Sequence, residues 1–325
     1  MIFLWLGFLV LILILLSLDL GVFHRKDHVI KAKEAILWTF FWVFLSLLFN
    51  VFIYFAYKHH LLGLGLSQMH VPTGDDAAVK YFTGYIIEKS LSLDNIFVIA
   101  LIFSFFKVPA MYQHRVLFWG ILGALVMRGL MIFAGTMLIQ KFSWMIYVFG
   151  ALLVITAIKM LVSRHDNLEP EKNIVVKFAR KFFPVSKSFE GPKFFTRVNG
   201  AKAITPLLLV LLIIESTDVM FAIDSIPAIF AVTTDPFIVF TSNVFAILGL
   251  RSLYFALAAM MDKFRYLKIS LVFVLAYVGV KMMLSHTMPI PTLVSLTIII
   301  TMLFVGLVAS IIAGKKDTAK LNSPL

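Results

Sequence analysis

Five carboxylates sit inside long apolar stretches of this chain: Glu88, Asp94, Glu215, Asp218 and Asp224. A charge at the centre of a bilayer costs at least about 2.5 kcal/mol, so such a group persists where it faces a partner, a cavity or an ion. Only Lys89, Arg128 and Arg251 lie in the same stretches as possible counter-charges. If each basic group took one acid, two carboxylates would remain for protons or a bound cation. Spacing sorts the set. Glu215 and Asp218 are three residues apart and share a helix face, as do Glu88, Ser92 and Asn95 at i, i+4 and i+7. Asp94 points about 120° away from Glu88 on an ideal helix. Pro227 denies the Ile223 carbonyl its partner and clashes with it, which predicts a broken helix around 223–227 that turns Asp224 inward. The plainer alternative is structural ion pairing, Asp94 with Arg128 and Asp218 with Arg251. Asp19 repeats the Ser-x-Asp pattern as Ser17-Leu18-Asp19, close enough to the end of its apolar run for solvation to explain it equally well.

The donor types narrow the ion. Carboxylates with Asn95, Asn243 and nearby hydroxyls are hard oxygen ligands, suited to Mg²⁺, Ca²⁺ or Mn²⁺. The chain has no cysteine, and its eight histidines (24, 28, 59, 60, 70, 114, 165 and 286) fall in loops or at the ends of apolar runs. A Zn²⁺ or Cu²⁺ site therefore has little support. Met220 beside Asp218 is either a softer donor favouring Mn²⁺ or simple packing. There is no phosphate-binding loop, nucleophile elbow or other catalytic motif. The expectation is a protein that is not an enzyme and holds no resident cofactor, with a metal ion as its substrate.

These residues need helices that cross a membrane. Of the 325 residues, 61% are hydrophobic and 14% charged, with a mean hydropathy of +0.98. Soluble domains are nearer half apolar and about a quarter charged. Apolar runs at 1–22, 35–57, 82–106, 116–138, 143–162, 204–231, 237–261, 267–284 and 291–313 predict an all-α polytopic protein of about nine transmembrane helices. The first run lacks a basic segment ahead of it, so it reads as a retained span and not a signal peptide. With the N-terminus outside and the C-terminus cytoplasmic, 22 Lys and Arg fall on the inner side; only Lys58, Lys80, Lys141 and Lys281 fall outside. The net charge of +12 is then a cytoplasmic excess, with the lipid bilayer as partner and no nucleic acid. The chain divides into five spans over 1–162, a basic cytoplasmic loop over 163–203, four spans over 204–313 and a cytoplasmic tail over 314–325. Within the loop, Ile174 to Phe183 is amphipathic and either lies on the inner leaflet, drawn by Lys177, Arg180 and Lys181, or is a solvated linker.

A repeat ties the halves together. Ser92-Leu93-Asp94 is followed by Ile121-Leu122-Gly123 and Arg128; Ser216-Thr217-Asp218 is followed by Ile247-Leu248-Gly249 and Arg251. The copies are three spans apart, an odd number, so the second is inverted in the membrane, a common build of secondary transporters.

Longer motifs carry a family resemblance. Leu-Asp-Leu-Gly-Val-Phe-His-Arg (18–25), Glu-Lys-Ser-Leu-Ser-Leu-Asp-Asn-Ile-Phe-Val (88–98) and Gln-His-Arg-Val-Leu-Phe-Trp-Gly-Ile-Leu-Gly (113–123) resemble the TerC/Alx family of bacterial inner-membrane proteins. So do the stretch from Glu215 to Phe237 and Thr241 to Tyr254-Phe255. The resemblance covers about 1–313. It implies a Mn²⁺ exporter or manganese-homeostasis protein of the LysE-like superfamily, historically linked to tellurium resistance, with its acidic positions at Asp19, Glu88, Asp94, Glu215, Asp218 and Asp224. Nothing in the residues themselves makes a tellurite oxyanion site, which would need clustered in-span Arg or Lys. Protons are the plausible counter-ion. The rival readings are a non-transporting scaffold that recruits stress factors through 163–203 and an exporter of a small amino compound.

Overall fold

The computed structural model describes residues 2–21, 32–66, 71–162, 174–186, 188–198, 200–257, 265–285 and 287–321. The helices are α1 (Ile2–Gly21), α2 (Ala32–Lys58), α3 (Gly74–Phe105), α4 (Ala110–Lys141), α5 (Met145–Val162), α6 (Ile174–Phe182), α7 (Pro206–Phe230), α8 (Pro236–Leu248), α9 (Leu250–Leu257), α10 (Arg265–Met283) and α11 (Thr292–Leu321). Hydrocarbon supplies no hydrogen-bond partners, so a chain this apolar closes its backbone bonds within helices. Among the described residues, α2, α4, α5, α7, α11 and the α8–α9 pair are long and apolar enough to cross a membrane. The apolar parts of α1 and α10 are shorter, Ile2–Leu18 and Ile269–Met283. The chain is thus a mostly helical polytopic membrane protein.

The helix starts are written locally. Thr73 caps α3 by accepting from the Asp76 amide, Thr205 caps α7 through the Leu208 amide, and Asp235 caps α8 through the Phe237 and Ile238 amides. Bulky apolar side chains such as Phe3, Leu37, Phe40 and Phe133 stay exposed on the outer helices, the face a bilayer would cover.

Inside this shell α3 is the central helix, with Tyr81, Ile87, Glu88 and Ile96 fully buried. Glycines set its neighbours. A β-carbon at Gly84 would stand 2.9 Å from Ser242 Oγ of α8, and Lys89 Nζ donates to Ala246 O, 3.1 Å away, further along both helices. So α3 and α8 run parallel. The same ordering of contacts (Gly120 against Ile214, Gly123 against Glu215, Gly135 against Phe230) makes α4 and α7 parallel. Small residues at such crossings let backbones approach closely, a packing rule of membrane helices.

One expectation needs correction. α7 runs unbroken from Pro206 to Phe230 with Pro227 inside it. The proline falls in the last turn, with only Ala228, Ile229 and Phe230 after it in the helix, and Ala231 N still bonds Pro227 O at 3.1 Å. The interruption lies instead in the next span, where α8 ends at Leu248 and α9 begins at Leu250, with Gly249 as the break. Within 163–203, β1 (Phe195–Val198) and β2 (Ala201–Ile204) form an antiparallel hairpin. Segment 163–173 lies outside the described residues.

Candidate functional site

Three helices, α3, α4 and α7, bring their polar groups to one buried centre around Arg128. Its guanidinium is 2% exposed. Nε and Nη2 donate to the two carboxylate oxygens of Asp218 at 3.0 and 2.8 Å, a bidentate fork from α4 to α7. Nη1 donates to Glu88 of α3 and to Ser225 Oγ of α7, the latter at 3.3 Å. The Glu88 side chain is fully buried and that of Asp218 is 17% exposed. The alternative of structural pairs is met with other partners: Arg128 holds Glu88 and Asp218, not Asp94, and Asp218 pairs with Arg128, not Arg251. One buried cation between two carboxylates leaves the cluster with one negative charge in excess.

The other acids surround this cluster. Asp94, Asn95, Asp224 and Ser225 line a cavity of about 300 Å³ together with Thr156, Lys159, Met160 and Met220. Thr156 Oγ1 donates to Asp224 at 2.8 Å. A smaller space of about 30 Å³, lined by Asn95, Arg128, Thr217 and Asp218, lies against the same centre; it holds little more than a water. Asn95, only 4% exposed, borders both spaces. Glu215 lies directly over Gly123 of α4, where a β-carbon would overlap its carboxylate. Lys89 occupies the corresponding place on the other side. Its ammonium is 2.8 Å from where a β-carbon of Gly249 would stand, and it donates to the Ala246 carbonyl in the last turn of α8. A cation there complements the negative end of the half-helix.

Arg251, 3% exposed, begins α9 just beyond the break. Asn243 is buried on α8 with both side-chain polar atoms unbonded. The Asp19 side chain lies outside the described residues. Among the described residues no three His, Asp or Glu side chains stand close enough to hold a metal ion together. In this conformation Arg128 occupies the place between Glu88 and Asp218.

Sequence reasoning missed the contribution of α5. Lys159, one of the 22 basic residues that the charge count puts on the inner side, lines the larger cavity beside Thr156. The signal was present: Thr156 and Lys159 are i and i+3, one face of a helix whose remaining residues are almost all apolar.

This is an integral membrane protein whose in-span charges are gathered in its interior by glycine-spaced helices. The profile of the Integral membrane protein TerC family matches residues 73–318, and the chain belongs to that family. It is 49% identical over 322 residues to "Uncharacterized membrane protein STKORF319" of Myxococcus xanthus, covering 99% of this chain and 96% of that one. It is 44% identical over 321 residues to "Putative membrane-bound redox modulator Alx" of Salmonella typhi, covering 98% and 97%. The protein of the same name from Escherichia coli is 44% identical over 297 residues, 91% of this chain and 90% of that one. No solved structure matches the chain.

Proposed function

We propose that this chain is an inner-membrane Mn²⁺ exporter with nine spans, its N-terminus outside and its C-terminus cytoplasmic, exchanging the ion for protons. The observation that carries the reading is Arg128 bridging Glu88 and Asp218 beside a cavity lined by Asp94 and Asp224. A guanidinium is a tethered cation. It satisfies the buried acids when no ion is bound, and a divalent cation reaching the cavity competes with it for the same oxygens. Mn²⁺ neutralises both carboxylates where Arg128 neutralises one. Asn95, Thr217 and Ser225 add neutral oxygen donors next to the acids, which fits a hard ion. Glu215, one turn from Asp218, and Asp19 complete the acidic set. The chain acts without a resident cofactor and catalyses no chemical step. A thiol-based redox role finds no residue here, since the chain has no cysteine.

The inverted repeat is supported by helix direction. Exchanging the copies α3–α4 and α7–α8 converts the parallel α3/α8 pair into the parallel α7/α4 pair. The mirrored contacts are Lys89 against Gly249 and Glu215 against Gly123, the two glycines that the repeat aligns. Such symmetry is the usual frame for alternating access around a midplane site.

The test is Mn²⁺ flux in proteoliposomes containing the full chain, with membrane abundance measured alongside. Asp218→Asn and Asp94→Asn should each insert normally and abolish flux. Normal flux in both variants removes the carboxylate site. No flux of any divalent ion in the wild type leaves the scaffold reading, and flux of a small amine in its place leaves the third.

A further inference from the structure

The hairpin ahead of α7 carries a feature that a plain loop would avoid. In the β1/β2 register Arg197 stands directly opposite Lys202, and Phe195 opposite Ile204. Residues directly opposite share a face of the ribbon, and like charges so placed repel. Lys193 joins them: Phe183, Lys193, Phe195, Thr196, Arg197 and Lys202 line one open cleft of about 740 Å³. The frame holding these cations is fixed. Thr205 Oγ1 donates to Lys193 O at 2.7 Å, Ser186 N bonds Ile204 O at 2.9 Å and Ile204 N bonds Pro184 O at 2.9 Å. The three basic side chains therefore remain together although no described acid pairs with them. The one described acid of the segment, Glu190, accepts a hydrogen bond from Thr196 Oγ1.

The surroundings say what kind of anion fits. Lys202 precedes the first residue of the α7 span by only a few positions, so the cleft sits where the chain enters the apolar region. Beside it, α6 buries Val176 against the helical core and leaves Phe178 and Phe182 exposed at 65% and 59%, with Lys177, Arg180 and Lys181 on the same short helix. Phe195 is exposed at 65% as well. Aromatic side chains next to basic ones, at the start of a membrane span, match a lipid–water interface with anionic headgroups.

We propose that this cleft is a binding site for the phosphate of an anionic phospholipid, held between Arg197, Lys202 and Lys193 while Phe195 and the α6 phenylalanines enter the acyl boundary. The lipid supplies the counter-charge that the Arg197–Lys202 pair lacks among the described residues.

The experiment titrates the purified full chain, in zwitterionic detergent, with phosphatidylglycerol or phosphatidylcholine, and reads bound lipid by native mass spectrometry and thermal midpoint by fluorescence-detected gel filtration. Wild type should bind phosphatidylglycerol preferentially and be stabilised by it. Arg197→Gln with Lys202→Gln should lower that affinity about 30-fold, the worth of two basic groups at a membrane surface, and lose the stabilisation. The single Arg197→Gln should fall between, which keeps the test alive if the double variant folds poorly. Lys58→Gln and Lys141→Gln, at the far ends of α2 and α4, should change neither. Unchanged phosphatidylglycerol affinity in both cleft variants overturns the proposal. So does equal stabilisation and displacement of the lipid by millimolar inorganic phosphate, which would make the cleft a site for soluble anions.

Discussion

Replacing Arg128 with glutamine tests the arrangement at its centre. The substitution leaves Glu88, fully buried, and Asp218, 17% exposed, without their shared cation. Removing one partner of a buried ion pair costs about 3–5 kcal/mol, because the remaining charge is left in a medium that solvates it poorly. Two stranded carboxylates put Arg128→Gln at the upper end of that range, a fall in thermal midpoint on the order of 10 °C. Neutralising the acids as well, with Glu88→Gln, Arg128→Gln and Asp218→Asn together, should recover most of the lost stability and none of the transport. The vacated place should also take a cation. At Mn²⁺ concentrations about 100 times its dissociation constant, binding restores about 2.7 kcal/mol, so Mn²⁺ should stabilise Arg128→Gln more than wild type. Thermal midpoints in detergent with and without Mn²⁺ measure all of this. Asp94→Asn leaves every contact of Arg128 in place and serves as the comparison. The reasoning fails if Arg128→Gln is as stable as wild type, or if Asp94→Asn destabilises as much.

Three further outcomes follow from particular contacts. Gly123→Ala drives a β-carbon into the Glu215 carboxylate and should abolish Mn²⁺ flux in proteoliposomes while membrane abundance falls less than twofold, about 0.4 kcal/mol or less; retained flux would show that Glu215 need not lie there. Tyr57→Phe removes the 2.6 Å bond from Tyr57 Oη to Asp235 Oδ2, beside the α8 cap, and should cost about 1–3 kcal/mol in thermal unfolding with flux per folded molecule unchanged. Over-expression should protect cells against excess Mn²⁺ more than against Zn²⁺ or Cu²⁺, read from growth and cellular metal content, and equal protection against the softer metals would remove the argument from oxygen ligands.

The positions of the apolar runs were legible in the sequence because each helix closes its own backbone bonds, and a run of apolar residues is a local property. Among the described residues, six of the nine runs fall on helices long and apolar enough to cross a membrane. The polar residues that matter were legible for the same reason: a charge in an apolar run is costly wherever the helix ends up packing. Their partners were not legible. Arg128 lies 40 residues from Glu88 and 90 from Asp218, and which acid it meets depends on how deeply α3, α4 and α7 interleave. That depth is set by close contacts at Gly84, Gly123 and Gly135, which the sequence shows only as glycines. Helix spacing placed Glu88 and Asp94 on different faces, yet it could not say that Glu88 turns to α4 while Asp94 turns to the cavity near α5. The break shows the same limit. Pro227 carries the stronger local signal but falls where α7 is already ending, whereas the span opens at Gly249, where Lys89 from α3 lies against the last turn of α8. A helix break between neighbouring helices is decided by what packs against the freed carbonyls, and only the tertiary structure brings that group to them.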